Sequence, residues 1–410
     1  MSSARGKNGG VNRRDFFKKA AAIGLGASVG GTAFWRPRRA SAGITLPKEP
    51  APRRPFGRSG IMVSSLSLGG MFDILNNRLM LAKALDWGIN YWDTAEGYGG
   101  GRSEEGIGRW FARNPDTRKQ VFLVTKLSAR RGTDFTPRLE ESLKRLRTDY
   151  VDMFFVHGIR GIDEMEAGLA SWAQAMKKAG KIRLFGFSTH SNMEACLAGA
   201  AELPWIDGIM FTYNYRLMHE ANMKAAVDAC YRAGIGLTAM KTQGGGPLKS
   251  DSESEIEMAG RFMQKGFTEH QAKLKAVWED KRIAAICSQM PNLTILATNA
   301  VAAVDQTRLS QSDHALLARH AGETCSDYCA GCGRLCSEVL ADSVPISDVM
   351  RCLMYLRSYQ DLGLARSTFE TLPAETSRLL TQLDFSEAER SCPRNLPIGQ
   401  LMREAAILLA

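Results

Sequence analysis

Asp93, Tyr98, Lys126 and His157 are the residues of this chain whose types and spacing suit proton transfer. Asp93 lies near the end of a short apolar run, residues 90–95. Tyr98 follows five residues later, just past a glycine, on what reads as a loop. Lys126 closes the run 121–126, and His157 closes the run 150–157. A free phenol has a pKa near ~10, too high for efficient transfer at neutral pH, and a neighbouring cation favours its ionised form. Lys126 supplies that cation, and Asp93 a carboxylate to hold it. His157 supplies a hydrogen-bonding group for an acceptor oxygen. Each residue alone has a plainer account. An aspartate at a strand end commonly caps a turn or helix. Tyr98 suits an ordinary loop aromatic, Lys126 a solvated lysine and His157 a satisfied rim histidine. Their order, at the ends of three consecutive runs, favours the catalytic account.

Such groups need a scaffold that brings strand ends together. Strands are expected at residues 64–70, 90–95, 121–126, 150–157, 184–190, 208–214, 236–242 and 284–290. Helices are expected at 76–87, 103–113, 137–147, 163–179, 192–202, 219–233, from a loop over 243–257 to about 280, and at 293–304. The strands are continuous apolar runs, as in strands covered on both faces. Eight such units over residues 64–320 predict an α/β fold, a (β/α)8 TIM barrel with its chemistry at the C-terminal strand ends. An open doubly wound sheet is the runner-up. It calls for a glycine-rich fingerprint after the first strand, and Leu68-Gly69-Gly70-Met71 is not one. Residues 43–63, rich in Pro, Arg and Gly, read as a linker and lead-in. Residues 325–410 read as a small helical, cysteine-rich C-terminal extension.

With Asp, Tyr, Lys and His in this order, and with the run Tyr98-Gly99-x-Gly101-x-Ser103-Glu104, residues 55–305 resemble the aldo-keto reductase family. The resemblance implies an oxidoreductase. Hydride passes between NADP or NAD and a small-molecule carbonyl or alcohol, and Tyr98 is the proton donor. It also places Ser188 and Asn214 beside the nicotinamide amide, and Ser288 and Asn299 in the phosphate-binding region. Met210 stands where many members carry glutamine, and Met240-Lys241 replaces the usual stacking aromatic. Helix capping is the plainer account of Ser288 and Asn299. The other class of function that fits the chain is a non-catalytic exported barrel binding a small molecule or a partner protein.

Cys325, Cys329, Cys332 and Cys336 are closely spaced, and Cys392-Pro393 follows far downstream. Thiolates so spaced can wrap an iron–sulfur cluster. Cys329-x2-Cys332-x3-Cys336, with Val344-Pro345-Ile346 and Cys392-Pro393-x3-Pro397-Ile398, resembles the ferredoxin-like extension of certain aldo-keto reductases. That implies one [4Fe–4S] cluster on Cys329, Cys332 and Cys336, with either Cys392 or Cys325 as fourth ligand, and an electron-transfer partner. Ser337 stands where proline normally follows the third cysteine. Disulfides and structural zinc are the competing accounts.

The formal charge of +10 does not point to nucleic acid, because residues 1–42 carry nine Lys or Arg against one Asp. That leaves only a slight excess elsewhere. Asn12-Arg13-Arg14-Asp15-Phe16-Phe17-Lys18 resembles the twin-arginine export motif. A Gly/Ala-rich apolar run at 20–34 and Ala40-Ser41-Ala42, a small-residue cleavage site, follow it. The run is shorter than the ~20 residues that span a bilayer. Residues 1–42 are thus expected to be a cleaved signal read by the twin-arginine export machinery, and the protein to be exported, to the periplasm.

Overall fold

The computed structural model describes residues 46–128, 134–245, 252–341 and 343–410. The expected signal at 1–42 lies outside them, as does much of the expected loop at 243–257. Eight parallel strands close into a barrel in the order β10-β3-β4-β5-β6-β7-β8-β9. They are β3 (Leu66–Gly69), β4 (Tyr91–Asp93), β5 (Phe122–Leu127), β6 (Val151–Ile159), β7 (Ile182–Thr189), β8 (Gly208–Thr212), β9 (Gly236–Met240) and β10 (Ala285–Gln289). The alternating helices are α1 (Leu79–Asp86), α2 (Arg102–Arg113), α3 (Phe135–Leu146), α4 (Ala167–Lys178), α5 (Met193–Ala200), α6 (Ala221–Arg232), α7 (Glu253–Gln264), α8 (Glu269–Glu279) and α9 (Leu293–Val304). The expected TIM barrel is therefore present. Buried side chains such as Trp92, Phe154, Phe185 and Phe211 fill the space between its strands and helices.

Three local expectations fail for physical reasons. Residues 43–63 are not merely a linker. An antiparallel hairpin, β1 (Arg53–Pro55) and β2 (Met62–Ser64), closes the barrel floor. Fully buried Phe56 plugs it, its ring centroid 5.1 Å from that of Phe122. The plug fits because a Cβ at Gly236 would come within 2.5 Å of that ring. The single helix expected up to residue 280 is two helices. Gly266, at φ +85°, ends the first, and a Thr268–Gln271 capping box starts the second. Helix α4 begins at Ala167, after a short 3-10 turn over Ile162–Glu164.

Helix α10 (Gln311–Glu323) packs on α7 and α8 through Phe262, Ala276, Leu316 and Leu317. Six further helices follow, α11 (Gly333–Ser337), α12 (Ile346–Ser358), α13 (Leu362–Phe369), α14 (Thr376–Gln382), α15 (Ser386–Arg390) and α16 (Ile398–Leu409). They form a separate core from Val349, Leu353, Phe369, Leu380, Met402 and their neighbours. This extension is fastened to the barrel rim. Asn192 N donates to Gly331 O at 2.7 Å, and Arg334 N donates to Asn192 Oδ1 at 3.0 Å. Arg160 pairs with Asp348 at 2.6 Å. Gly331, at φ +80°, allows the closest approach, since a Cβ there would lie 2.4 Å from His190 O. Among the described residues no helix is long and apolar enough to cross a membrane.

Candidate active site

Strand register assembles the polar groups. Asp93 pairs with Val124 and Lys126 pairs with Phe155. Lys126 is therefore two residues beyond Asp93's partner, and His157 two beyond Lys126's. Side chains alternate along a strand, so a step of two keeps each group on the same side. The stagger follows the tilt of barrel strands. Lys126 and Asp93 are 1% and 2% exposed, which places an ion pair in the interior.

Lys126 Nζ lies 2.6 Å from Asp93 Oδ1 and donates to Oδ2 at 2.7 Å. It also donates to Thr94 O at 2.9 Å and to the Tyr98 hydroxyl at 3.2 Å. All three ammonium hydrogens thus have acceptors. Tyr98 is held by the turn after β4, where Gly99, Gly100 and Gly101 all have positive φ. Ser103 Oγ pins the same turn through Thr94 Oγ1 and Gly70 O, each at 2.7 Å. Buried Glu104 accepts from Thr125 Oγ1 at 2.6 Å and from Arg145 Nε at 2.7 Å. The Ser-Glu pair of the motif is therefore structural support. The Tyr98 and His157 rings meet edge to face, with centroids 5.9 Å apart.

The expectation that Lys126 lowers the Tyr98 pKa is not met in this arrangement. Burial, followed by the Asp93 carboxylate, raises the phenol well above its ordinary value. The ammonium's charge is largely matched by Asp93, so Tyr98 keeps its proton. His157 moves the other way. Burial, then Lys126, Arg351 and Lys241, push it well below its ordinary value, so the imidazole is neutral. Burial also raises Asp93, against the pull of Lys126.

The cofactor candidates are distributed unevenly. Ser188 Oγ accepts from Gly158 N at 3.0 Å and keeps its own hydrogen to donate. Asn214 is fully engaged. Its Nδ2 donates to Lys241 O at 3.2 Å and to the Tyr328 hydroxyl at 3.0 Å, and its Oδ1 accepts from Arg216 N at 3.0 Å. Ser288 and Asn299 are joined at 3.1 Å, with Asn299 in the second turn of α9. Neither caps that helix; Asn292 does.

Several residues at this rim were not singled out from sequence. Helix α12 brings Arg351 and Tyr355 over the barrel mouth, where Lys241 Nζ donates to the Tyr355 hydroxyl at 3.2 Å. His190 joins them at the end of β7, and its pKa too is depressed, by burial and then by Lys241. The available signal was the Arg351/Tyr355 spacing of four, which sets both on one helix face. A cavity of ≈730 Å³ lies at the opposite end of the barrel. Its Arg54 is spent on the carbonyls of Trp278, Asp280 and Ile283, and its Arg58 on those of Ala233, Pro204 and Ile206.

Within the extension, Cys329, Cys332, Cys336 and Cys392 line one small pocket of ≈20 Å³. Cys325, in a short turn upstream, does not line it. Among the described residues all nine cysteines are free, and no group of three His, Cys, Asp or Glu side chains is placed to hold a metal ion.

Comparison with known proteins bears on both barrel and chemistry. Residues 74–299 match the profile of the Aldo/keto reductase family. Aldo-keto reductase yakc [NADP(+)] of Schizosaccharomyces pombe is 36% identical over 124 residues, which are 27% of this chain and 36% of that protein. The uncharacterized oxidoreductase YrpG of Bacillus subtilis is 30% identical over 220 residues, covering 47% of this chain and 67% of its own length. The chain thus spans between 36% and 67% of the lengths of these curated relatives. The solved structure of aldo-keto reductase AKR11C1 from Bacillus halodurans superposes with a TM-score of 0.53 at 20% identity, over 66% of this chain and 96% of that one. That likeness is one of fold.

Proposed function

The chain belongs to the aldo/keto reductase family of oxidoreductases, and from that premise we propose that it reduces a small-molecule carbonyl with a nicotinamide cofactor, using Tyr98 as proton donor. The observation that carries this is the ammonium of Lys126, bound at once to Asp93 and to the Tyr98 hydroxyl. The bound cofactor supplies the hydride. Tyr98 holds the proton that the carbonyl oxygen gains, because its raised pKa keeps it protonated. Lys126 fixes the phenol oxygen, and Asp93 fixes Lys126. Neutral His157 offers an N–H to orient the carbonyl oxygen. At the phosphate end the residues fit the cofactor. Ser288, which precedes the Asn292 N-cap of α9, hydrogen-bonds Asn299 in the second turn of that helix, and the main-chain N–H groups of the helix start suit an anion. At the amide end Ser188 has a free donor, whereas Asn214 instead holds Tyr328 of the extension.

The four-thiol pocket supports a second part of the proposal. Cys329, Cys332, Cys336 and Cys392, rather than Cys325, suit one [4Fe–4S] cluster, which would supply one-electron transfer. Burial pushes the Cys329 thiol up to about 12 and Cys336 to about 11. Without a cation to hold thiolates, these groups therefore stay protonated.

One preparation tests both parts. Anaerobically purified protein is expected to show visible absorbance and about four irons per chain, and its fluorescence is expected to change on titration with NADPH or NADH. Colourless, iron-free protein would remove the cluster. Failure to bind either nucleotide would leave a binding barrel without this chemistry. Residues 1–42 are proposed to direct twin-arginine export to the periplasm. Cell fractionation of the Arg13→Lys/Arg14→Lys variant is expected to find the protein retained in the cytoplasm, and unchanged export would refute the signal.

A further inference from the structure

The barrel mouth carries more positive charge than the protein neutralises. Lys126 is matched by Asp93 at 2.6 Å. Arg351 shares its carboxylate: Asp348 receives Arg351 at 2.9 Å and Arg160 at 2.6 Å. Two guanidiniums on one carboxylate leave one charge over. Arg351 Nε is buried with no hydrogen-bond partner. It lies one helical turn from Tyr355, whose hydroxyl Lys241 Nζ reaches at 3.2 Å.

Lys241 adds a second unmatched charge. Its Nζ donates to the Tyr355 hydroxyl at 3.2 Å and lies 4.5 Å from that ring's centroid; against burial, Lys241 and then Arg351 hold that phenol below its ordinary pKa. Among the described residues it has no carboxylate partner. Its backbone has φ +54°, a conformation that lysine rarely adopts. The turn is held there because Lys241 O accepts from Asn214 Nδ2 at 3.2 Å and from Gly244 N at 3.0 Å. His157 and His190 remain neutral beside these cations and add no further charge. A partly buried ammonium without a carboxylate partner and a guanidinium with an unpartnered Nε, both set around Tyr355, suit an anion from outside the chain.

We propose that Arg351 and Lys241 form a carboxylate-binding site at the barrel mouth, so that the substrate is a carbonyl compound bearing a carboxylate. A guanidinium with a free Nε–H can give a carboxylate directed hydrogen bonds, and Lys241 adds a point charge opposite. As a statement about substrate, this rests on the reductase function proposed above.

The test separates the two. Full-length protein is titrated calorimetrically with benzoate, benzamide and phenyl phosphate. Benzoate is expected to bind at least ~10-fold more tightly than benzamide, the effect of one charge-assisted contact. Arg351→Gln and Lys241→Met are each expected to erase most of that preference. Arg351 also holds Asp348, so if Arg351→Gln disturbs folding, Lys241→Met decides the outcome, since Lys241 pairs with no carboxylate among the described residues. Equal binding of benzoate and benzamide overturns the proposal, and a preference for phenyl phosphate overturns the carboxylate assignment. In turnover, 4-carboxybenzaldehyde is expected to exceed methyl 4-formylbenzoate in kcat/KM, chiefly through KM. Selective benzoate binding without any aldehyde turnover would sink the reductase function and keep the anion site. Equal turnover of both aldehydes, with no benzoate preference, would do the reverse.

Discussion

Tyr98→Phe is expected to lower kcat for aldehyde reduction by about 10²–10⁴-fold, the range contributed by a positioned general acid, while NADPH titrates as in the unaltered protein. The substitution removes one oxygen and little else. The phenyl ring can keep its edge-to-face contact with His157, whose centroid is 5.9 Å away. Lys126 loses one acceptor but retains Asp93 and Thr94 O, so the stability change should be about 1 kcal/mol. No neighbour can replace the lost acid. His157 is already neutral, and its remaining N–H is a far weaker acid than a phenol. Lys126 is committed to Asp93, and giving up its proton would leave that carboxylate buried and unpaired. Steady-state NADPH consumption measures the effect, and activity retained in Tyr98→Phe would take the donor role from Tyr98.

The barrel and these four residues were legible in sequence because both depend on local order. Strand ends can be found from apolar runs, and a closed parallel sheet brings consecutive strand ends to one rim. The hairpin floor was not legible. Phe56 looks like any aromatic in a Pro/Arg-rich lead-in until Gly208 and Gly236, from distant strands, are seen to make room for it. The role of α12 was hidden for the same reason. Nothing local to Arg351 indicates that it lies near Tyr98, more than 250 residues earlier. Asn214 shows the converse. Its position after β8 was legible, but its amide is occupied by Tyr328, a long-range partner that periodicity does not reveal. Spacing alone left Cys325 and Cys392 as alternatives. The fold of the extension brings Cys392 to the other three thiols and leaves Cys325 aside.

Lys126→Met is expected to destabilise the fold by about 3–5 kcal/mol near neutral pH, the loss typical of removing one partner from a buried ion pair. Methionine fills much of the lysine stem's volume, so little of the effect should come from a cavity. What remains is Asp93, 2% exposed and without its cation. Burial already raises the Asp93 carboxyl while Lys126 pulls it down, so removing Lys126 must raise it further. A carboxyl whose folded pKa exceeds its unfolded value, about 3.9, takes up protons on folding. The variant's deficit should therefore be smallest below about pH 4, where Asp93 is protonated in both states, and grow as pH rises through the folded pKa. Urea denaturation at several pH values would measure this. Lys126→Met combined with Asp93→Asn removes the stranded charge, and the double variant is expected to be more stable near neutrality than Lys126→Met alone. If the single variant unfolds at the unaltered midpoint, or the double variant is no better than the single, the pair does not bear on the fold. Lys126 would then serve only the chemistry at Tyr98.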